Sequence, residues 1–277
     1  MNRISLYLVA TPIGNRADLS PRAVEVLGHV DFVAAEDTRT SGLLLSYYGI
    51  KKPMVSYFEH NRWEKGPQIL ERLRAGQTCA LVTDAGMPAI SDPGQDLVAL
   101  CHDAGLGVSA IPGPCAFVTA LAMSGLPSRR FCFEGFLESA SAARRRQLEE
   151  LAREQRTLIF YEAPHRLGRT LADLVAAFGQ NRQICVVREI SKIYEEARRM
   201  DLGQALEFYG KTAPRGEFVL VVEGACAPEP PLLSGEELLQ AAAARMAEGK
   251  PKSVVAKELA REYGLGRNEI YSRIKDL

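Results

Sequence analysis

Short apolar segments alternate with helix-like stretches along the first half of the chain, and this alternation is the strongest constraint on its fold. Strands that alternate with helices predict a mostly parallel sheet covered on both faces. Ligands bind such sheets outside the carboxyl ends of the strands. The strands are predicted at residues 4–10, 31–35, 54–57, 78–83 and 107–111.

The pattern changes after Pro127. Further strands are predicted at 130–135, 157–161, 184–188 and 217–222, with helices at 142–154 and about 164–178. Residues 225–233 form a Pro-rich linker. The predicted fold class is therefore α/β with a C-terminal helical region. We expect an N-terminal α/β subdomain at 1–125, a second α/β subdomain at 126–224, and a helix-turn-helix-like region at 232–277.

Charge is balanced overall but uneven along the chain. The 277 residues contain 34 Lys plus Arg and 34 Asp plus Glu, so net charge alone favours neither a nucleic acid nor a membrane partner. Residues 129–199 contain 14 basic and 10 acidic side chains, a net charge of +4. This segment predicts either a solvated helix face or part of a surface that meets a polyanion. Its early part holds Arg129, Arg130, Arg144, Arg145 and Arg146.

The cysteines and histidines give no metal signature. The six cysteines are scattered without a C-x-x-C pair, and the four histidines lack ligand spacing, so we expect no metal site. Scattered single cysteines fit a reducing cytosol. We also expect no signal peptide and no membrane span, because no apolar run approaches the ~18 residues that a span needs. These features predict a cytoplasmic protein.

Three loops that follow predicted strands are rich in Gly and Pro: residues 11–15, 84–94 and 112–116. Glycine lets a ligand approach the backbone and proline fixes the loop shape. Each loop alone is compatible with a simple tight turn, but three on one sheet edge favour a ligand site. No standard nucleotide motif is present, since the nearest glycine pattern, at 105–110, overlaps a strand instead of following one.

Six motifs in order closely resemble the ribosomal RNA small subunit methyltransferase I family, a branch of the tetrapyrrole methylases. They are LYLVATPIGN, AAEDTR, TDAGMPAISDPG, PGPCA, FYEAPHR and GEFVLVVEG. The resemblance implies two α/β subdomains around a cleft that holds S-adenosylmethionine. It implies 2′-O-methylation of a cytidine ribose in the decoding region of 16S rRNA, within the small ribosomal subunit or a late precursor. It also implies a homodimer.

The same resemblance places the methyl donor among the strand-end loops. Asp84 suits a hydroxyl or ammonium donor because it is a carboxylate. Many relatives have Thr where this chain has Met87, so a hydroxyl contact at that position is lost. The implied donor-binding residues are Thr11, Pro12, Gly14, Asp84, Gly86, Met87, Gly113, Cys115, Ala116, Phe117, Tyr161, Ala163, Gly216 and Glu217.

The acceptor hydroxyl is a poor nucleophile until its proton leaves, so a general base would help. The catalytic candidates are Glu36, Asp37, Arg39 and His60. Arg39 is also a candidate for holding a phosphate, and Asn61 for binding a base or ribose. The alternative for His60 and Asn61 is that they cap the next helix. Relatives often have His where this chain has Phe58.

Other RNA-binding candidates lie at a helix start and in the C-terminal region. His165 and Arg166 follow Pro164, where a helix N-terminus suits a phosphate; the alternative is a capping turn with a solvated arginine. Three C-terminal helices are predicted, the first with a capping box at Ser234–Glu237. Their basic residues, among them Lys252 and Arg267, favour RNA binding over a purely structural bundle.

Two other functions remain open from the sequence. A small-molecule methylase of the tetrapyrrole or diphthine type would methylate without RNA. A non-enzymatic RNA-binding assembly factor would not bind S-adenosylmethionine. The basic C-terminal region and the AAEDTR motif argue against the first.

Overall fold

The first half of the chain forms a sheet of five parallel strands. The strands are Ile4–Val9 (β1), Phe32–Ala35 (β2), Met54–Ser56 (β3), Cys79–Val82 (β4) and Gly107–Ile111 (β5). Their order across the sheet is β3-β2-β4-β1-β5, so β4 and β1 are central. This agrees with the predicted parallel sheet. The computed structural model describes residues 3–226, 235–263 and 265–275.

Five helices connect and cover these strands. The first begins as the sequence predicts, because the Ser20 side chain accepts a hydrogen bond from the Ala23 amide and Pro21 occupies the first turn. A short 3₁₀ turn, Arg16–Asp18, precedes it. The helices are Pro21–His29 (α1), Thr38–Tyr47 (α2), Arg62–Arg74 (α3), Gln95–Asp103 (α4) and Ala116–Ser124 (α5).

The second sheet is mixed, which differs from the mostly parallel arrangement expected from the alternation. Its strands are Phe131–Phe136 (β6), Thr157–Glu162 (β7), Gln183–Arg188 (β8), Glu196–Asp201 (β9) and Phe218–Val222 (β10). Their order is β6-β7-β10-β8-β9, and only β6 and β7 pair in parallel. The associated helices are Ser141–Leu151 (α6), Pro164–Phe178 (α7) and Leu202–Lys211 (α8).

Strand β9 and helix α8 are not among the elements predicted from the sequence. The β9 segment contains two acids and two arginines within six residues and forms the edge of the sheet, where charged side chains discourage further pairing. It therefore lacks the apolar signature of a buried strand. Helix α8 begins at a capping box in which the Asp201 side chain accepts from the Gln204 amide and the Gln204 side chain accepts from the Asp201 amide.

The C-terminal helices form a compact unit of their own, Cys226–Leu277, distinct from Met1–Ala225. They are Gly235–Ala247 (α9), Lys252–Tyr263 (α10) and Arg267–Ile274 (α11). Their core holds Leu238, Ala242, Val255, Ala256, Leu259, Ile270 and Ile274. Ser234 of the expected capping box and most of the expected linker lie outside the described residues. The subdomain boundaries inferred from sequence stay predictions.

The described residues contain neither a membrane-spanning helix nor a metal-binding cluster. No helix there combines the length and apolar character that crossing a bilayer requires. No group of three or more His, Cys, Asp or Glu side chains in the same ranges is arranged to hold a metal ion.

The arginines at the start of α6 have different environments. Arg144 is buried, with 7% of its side chain exposed, and donates to the Asp173 carboxylate of α7 at 2.8 and 2.7 Å. It also donates to the carbonyls of Glu138 and Ser139. Arg145 lies 3.4 Å from the same Asp173 but its side chain is 64% exposed. Arg144 is therefore an internal link between helices, neither a solvated residue nor available to a polyanion.

We expect Arg144→Ala to lower the free energy of unfolding by about 3 kcal/mol, because it leaves the largely buried Asp173 carboxylate without its main partner. Arg145→Ala should cost less than about 1 kcal/mol, since its ion pair is solvated. Urea denaturation of both variants followed by circular dichroism measures the difference. Equal effects of the two substitutions would contradict this assignment.

Candidate functional site

The loops at one edge of both sheets surround a cavity of about 560 Å³. Residues after β1, β2 and β4 approach from the first sheet, and residues after β7 and β8 approach from the second. Glu217 joins them because β10 runs antiparallel to β7, which brings its start to the same edge. The predicted strand-end position of the site agrees with this location.

A backbone bridge fixes the two central loops. Thr11 and Gly86 exchange N–H···O hydrogen bonds of 2.9 and 3.1 Å, and the Thr11 hydroxyl donates to the Thr83 carbonyl at 3.0 Å. Gly86 has a φ of 92°, which a residue with a side chain rarely adopts. Thr11 therefore supports the loop after β4 and does not itself line the cavity.

The loop after β4 folds back on itself. Ala89 and Ser91 have positive φ values of 67° and 61°, and Gly94 has a φ of 143°. A Cβ atom on Gly94 would lie 2.7 Å from the Leu81 side chain, so only glycine fits there. This return brings Asp92 to the cavity together with Asp84 from the loop's beginning.

Three carboxylates gather on this side of the cavity: Glu36, Asp84 and Asp92. The Glu36 Oε2 atom accepts from the Thr83 hydroxyl at 2.6 Å and from the Asp84 amide at 3.4 Å. No described residue donates to its Oε1 atom. None of the described residues that line the cavity is Lys or Arg. The site is therefore suited to a cationic or hydroxyl-bearing ligand.

Burial and the neighbouring Glu36 carboxylate raise the pKa values of Asp84 and Asp92. Burial, with the Glu36 carboxylate adding to it, raises the pKa of Asp92 to about 6. The same two causes raise the pKa of Asp84. Perturbed carboxyl groups in a cleft are typical of functional sites. Burial also raises the pKa of the Cys115 thiol, which argues against a thiolate nucleophile at the cavity wall.

Aromatic rings form the opposite wall. Phe136 and Tyr161 meet edge to face with ring centroids 5.5 Å apart. Behind them Phe133 contacts Tyr161 at 5.0 Å and stacks on Phe117 at 4.3 Å. The Tyr161 hydroxyl accepts from the Phe117 amide at 3.3 Å, and burial raises its pKa. These rings give the cavity an apolar surface suited to a flat ring system.

The structure brings together many, but not all, of the implied donor-binding residues. Three implied donor-binding glycines lie outside the cavity lining and have no room for a Cβ atom. Gly14 packs against the Lys192 side chain, Gly216 against the Glu189 side chain, and Gly113 against Ala10. Asp84, Gly86, Met87, Cys115, Ala116, Tyr161, Ala163 and Glu217 line the cavity, whereas Thr11, Pro12, Gly14, Gly113, Phe117 and Gly216 do not. The role of all these residues in donor binding stays a prediction.

Among the catalytic candidates, only Glu36 lines the cavity. Asp37 caps α2 by accepting from the Arg39 amide at 2.8 Å, and its carboxylate also pairs with the Arg39 guanidinium at 2.7 Å. The Arg39 hydrogen bonds lower the pKa of Asp37 to about 2, which makes it a poor base. His60 lies on an exposed loop where its ring contacts Phe58.

Asn61 holds the turn before α3. Its Oδ1 accepts from the Phe58 amide at 2.9 Å and its Nδ2 donates to the Ser56 carbonyl at 3.1 Å. It occupies the N-cap position, but its side chain makes no capping hydrogen bond to α3. This geometry favours a structural role for the side chain over contact with a nucleotide.

His165 and Arg166 open α7 but face different surroundings. His165 lines the cavity. The Arg166 guanidinium donates to the carbonyls of Leu137 and Glu138 at 2.5 and 3.2 Å and lies 3.4 Å from the buried Glu162 carboxylate. Arg166 therefore ties α7 to the loop after β6, which favours a structural role over a phosphate contact.

The helical unit holds the remaining RNA-binding candidates. Lys252 donates to the Lys275 carbonyl at 2.8 Å, which joins the ends of α10 and α11. Arg267 begins α11 and is exposed. Lys257 and Arg261 are also exposed on α10.

Sequence reasoning missed several residues that line the cavity. Asp92 lay within a quoted motif, but its position depends on the positive φ values that fold the loop back. The apolar wall residues are ordinary strand-end side chains without a sequence signal of their own. The missed residues are Ile13, Thr83, Ala85, Ile90, Ser91, Asp92, Phe136, Glu162, Pro164, Ile190, Phe218 and Val219.

Curated relatives match almost the whole chain. A Synechocystis protein named ribosomal RNA small subunit methyltransferase I is 48% identical over 266 residues, covering 96% of this chain and 95% of the relative. Proteins of the same name from Haemophilus influenzae and Escherichia coli O157:H7 are each 45% identical, covering 96% of this chain and 94% and 93% of their own.

Solved structures share the fold at low identity. The methyltransferase CobJ superposes with a TM-score of 0.60 at 18% identity, covering 80% of this chain and 95% of its own. Uroporphyrin-III C-methyltransferase from Thermus thermophilus, crystallised with S-adenosylhomocysteine, gives 0.56 at 19% identity, covering 79% and 97%.

The family profile described as Tetrapyrrole (Corrin/Porphyrin) Methylases matches residues 5–206. The predicted family and the predicted fold class are thereby confirmed. The chain belongs to the ribosomal RNA small subunit methyltransferase I family within the tetrapyrrole methylases.

Proposed function

We propose that this methyltransferase of small-subunit ribosomal RNA uses S-adenosylmethionine to methylate the ribose 2′-hydroxyl of a cytidine in the decoding region of 16S rRNA. The observation that carries the proposal is the cavity lined by Glu36, Asp84 and Asp92, with no described Lys or Arg, among the loops that hold the family motifs. The family name supports the ribosomal substrate. The cytidine and the 2′ position come from the family resemblance.

The cavity fits the donor in size and chemistry. Its volume of about 560 Å³ lies within the range of cofactor sites. S-adenosylmethionine supplies a methyl group on a positively charged sulfur and carries an ammonium and ribose hydroxyls. Asp84 and Asp92 would hold these cationic and hydroxyl groups, while Phe136 and Tyr161 offer rings to the adenine. The related uroporphyrin-III enzyme, crystallised with the demethylated product, supports this choice.

The acid lining also limits which part of an RNA can enter. A phosphate near Glu36, Asp84 and Asp92 would meet carboxylates and no described cation in the wall. A ribose hydroxyl is neutral and can donate a hydrogen bond to a carboxylate. The lining therefore supports a sugar hydroxyl as the methyl acceptor, with the phosphates held outside the cavity.

Glu36 is the residue that we propose accepts the proton of this hydroxyl. The Thr83 hydroxyl and the Asp84 amide fix its Oε2 atom, which leaves Oε1 for the substrate. Holding the hydroxyl oxygen in line with the methyl group lowers the activation barrier for methyl transfer. Removal of the hydroxyl proton makes this oxygen a stronger nucleophile.

We further propose that the helical unit binds RNA through exposed basic residues such as Lys257, Arg261 and Arg267, with Lys252 as a further candidate. The homodimer implied by the resemblance and the cytoplasmic location expected from the cysteine pattern are proposals of the same kind. A ribosomal substrate supports the location, because small subunits are assembled in the cytoplasm.

Labelling of ribosomal subunits tests the proposed reaction. We expect the full-length protein to transfer a tritiated methyl group from S-adenosylmethionine to small subunits purified from cells that lack this modification. After alkaline hydrolysis, the label should remain in one dinucleotide that contains cytidine, since a methylated 2′-oxygen cannot attack the neighbouring phosphate. Label on a base, on protein or only on small molecules would refute the proposal.

Donor binding should depend on pH through Asp92. The carboxylate binds a cation only when charged, and its pKa of about 6 lies above its ordinary value. Affinity should therefore fall as the pH drops through 6, by up to tenfold per pH unit. Asp92→Asn should weaken binding roughly 10- to 100-fold at pH 8 and remove this pH dependence.

Glu207→Gln is the control for Asp92→Asn. Glu207 lies outside the cavity, and its side chain is 66% exposed and pairs with Lys211 at 2.6 Å. Calorimetric titration of both variants should show a large effect only for Asp92. An unchanged pH profile in Asp92→Asn would rule out this carboxylate as a donor ligand.

Glu36→Gln separates proton transfer from donor binding. If Glu36 accepts the hydroxyl proton, kcat should fall about 10²- to 10⁴-fold while the Kd for S-adenosylmethionine changes little. Thr83→Val, which removes the hydroxyl that holds Glu36, should cause a smaller fall. Equal losses of kcat and donor affinity in Glu36→Gln would instead make Glu36 a donor-binding residue.

A further inference from the structure

A second concave surface lies at the amino-terminal ends of β6 and β7, the opposite end of these strands from the acid-lined cavity. Arg130 directly precedes β6 and Arg156 directly precedes β7. The surface encloses about 460 Å³. We call it the arginine groove and define it by Pro127, Arg129, Arg130, Arg153, Glu154, Gln155, Arg156 and Thr157.

The groove carries a net positive charge after its internal pair is counted. Arg156 donates to both carboxylate oxygens of Glu154, at 2.8 and 2.7 Å, and these bonds lower the pKa of Glu154 to about 2. Arg129, Arg130 and Arg153 are exposed and form no ion pair with the described residues. Three guanidinium groups thus remain available in one concavity.

The backbone beneath these arginines is well anchored. The Thr157 hydroxyl donates to the Pro127 carbonyl at 2.6 Å, and the Ala225 amide donates to the Glu154 carbonyl at 2.6 Å. Gly224 packs so closely on Gln155 that a Cβ atom would lie 2.0 Å from its carbonyl oxygen. The guanidinium groups therefore project from a fixed frame, which reduces the entropy lost when they bind.

We propose that the arginine groove binds backbone phosphates of the RNA substrate, an inference that rests on the proposed function. Arginine forks match phosphate oxygens bidentately, and a row of arginines suits a polyanion better than a single small anion. The acid-lined cavity repels phosphates, so a separate basic surface is needed to hold the chain whose ribose is methylated.

The two surfaces contact different parts of the RNA. Strand β7 has six residues, so its ends lie about 17 Å apart at ~3.3 Å per residue. This span corresponds to several successive phosphates of a nucleic-acid strand. The groove therefore binds RNA some nucleotides away from the reacting ribose, and very short RNAs cannot reach both surfaces.

The test compares two triple variants of the full-length protein. Arg129→Gln, Arg130→Gln and Arg153→Gln remove the free charges of the groove. Arg3→Gln, Arg22→Gln and Arg74→Gln remove three exposed arginines outside it. Binding to unmodified small subunits is measured at salt concentrations between about 50 and 400 mM. The salt is varied because the number of phosphate contacts determines how steeply affinity falls with salt. Calorimetry with S-adenosylmethionine and thermal melting report the donor site and the fold.

We expect the slope of log K against log salt to decrease in magnitude by about 2–3 in the groove variant, since each lost phosphate contact removes ~0.7–0.9. The control variant should keep most of the wild-type slope, and both should bind the donor normally. Replacing the groove arginines with lysine should preserve the slope while weakening binding, because charge is kept and the bidentate geometry is lost.

The outcomes separate this proposal from the proposed function. If the wild-type protein methylates small subunits and the groove variant has the same salt slope as the wild type, the groove proposal is wrong and the proposed function stands. Equal losses in the two triple variants also overturn it, because they assign binding to general surface charge. A wild-type protein that binds no RNA overturns the groove together with the proposed function.

Discussion

The pairing of β1 with β4 at the centre of the first sheet determines where every other part of the site lies. Parallel strands deliver their following loops to one edge, and the Thr11–Gly86 bridge then joins the two central loops. From this fixed point the loop after β4 returns to present Asp92 beside Asp84, and Glu36 arrives from β2 on the other side of β4. The carboxylates converge because the strand order places their parent strands side by side.

Bringing these carboxylates together in one cavity disfavours the charged forms of Asp84 and Asp92. Burial disfavours the charged carboxylates and the nearby Glu36 carboxylate repels them, so the pKa values of Asp84 and Asp92 are raised. A cationic ligand relieves the repulsion and lowers these pKa values. The cavity is therefore electrostatically prepared for a positive charge before any ligand arrives.

The sequence predicted those features that depend on local pattern. The parallel sheet, the strand-end loops and the start of α7 at Pro164 follow from apolar periodicity and from Gly and Pro positions. Asp92 was not singled out because its placement depends on the left-handed backbone at Ala89 and Ser91, which neither residue type signals. Arg144 was grouped with surface arginines because its partner, Asp173, lies on another helix. Contacts between distant segments leave no mark on local spacing.

The division of charge between the two ends of β7 bears on how such an enzyme handles a polyanion. An active site that binds a cationic donor must be acidic, yet an RNA substrate is drawn to basic surfaces. These demands conflict if both ligands are held at one place. In this fold the acids stand at the carboxyl ends of the strands and the free arginines of the groove at the amino ends of β6 and β7, and the six residues of β7 alone span about 17 Å. Because charges that are solvent-exposed and more than about 8–10 Å apart are largely screened at physiological salt, each surface can keep its own sign. In the reaction that we propose, this separation would let the phosphates be bound tightly while a neutral hydroxyl enters the acidic cavity.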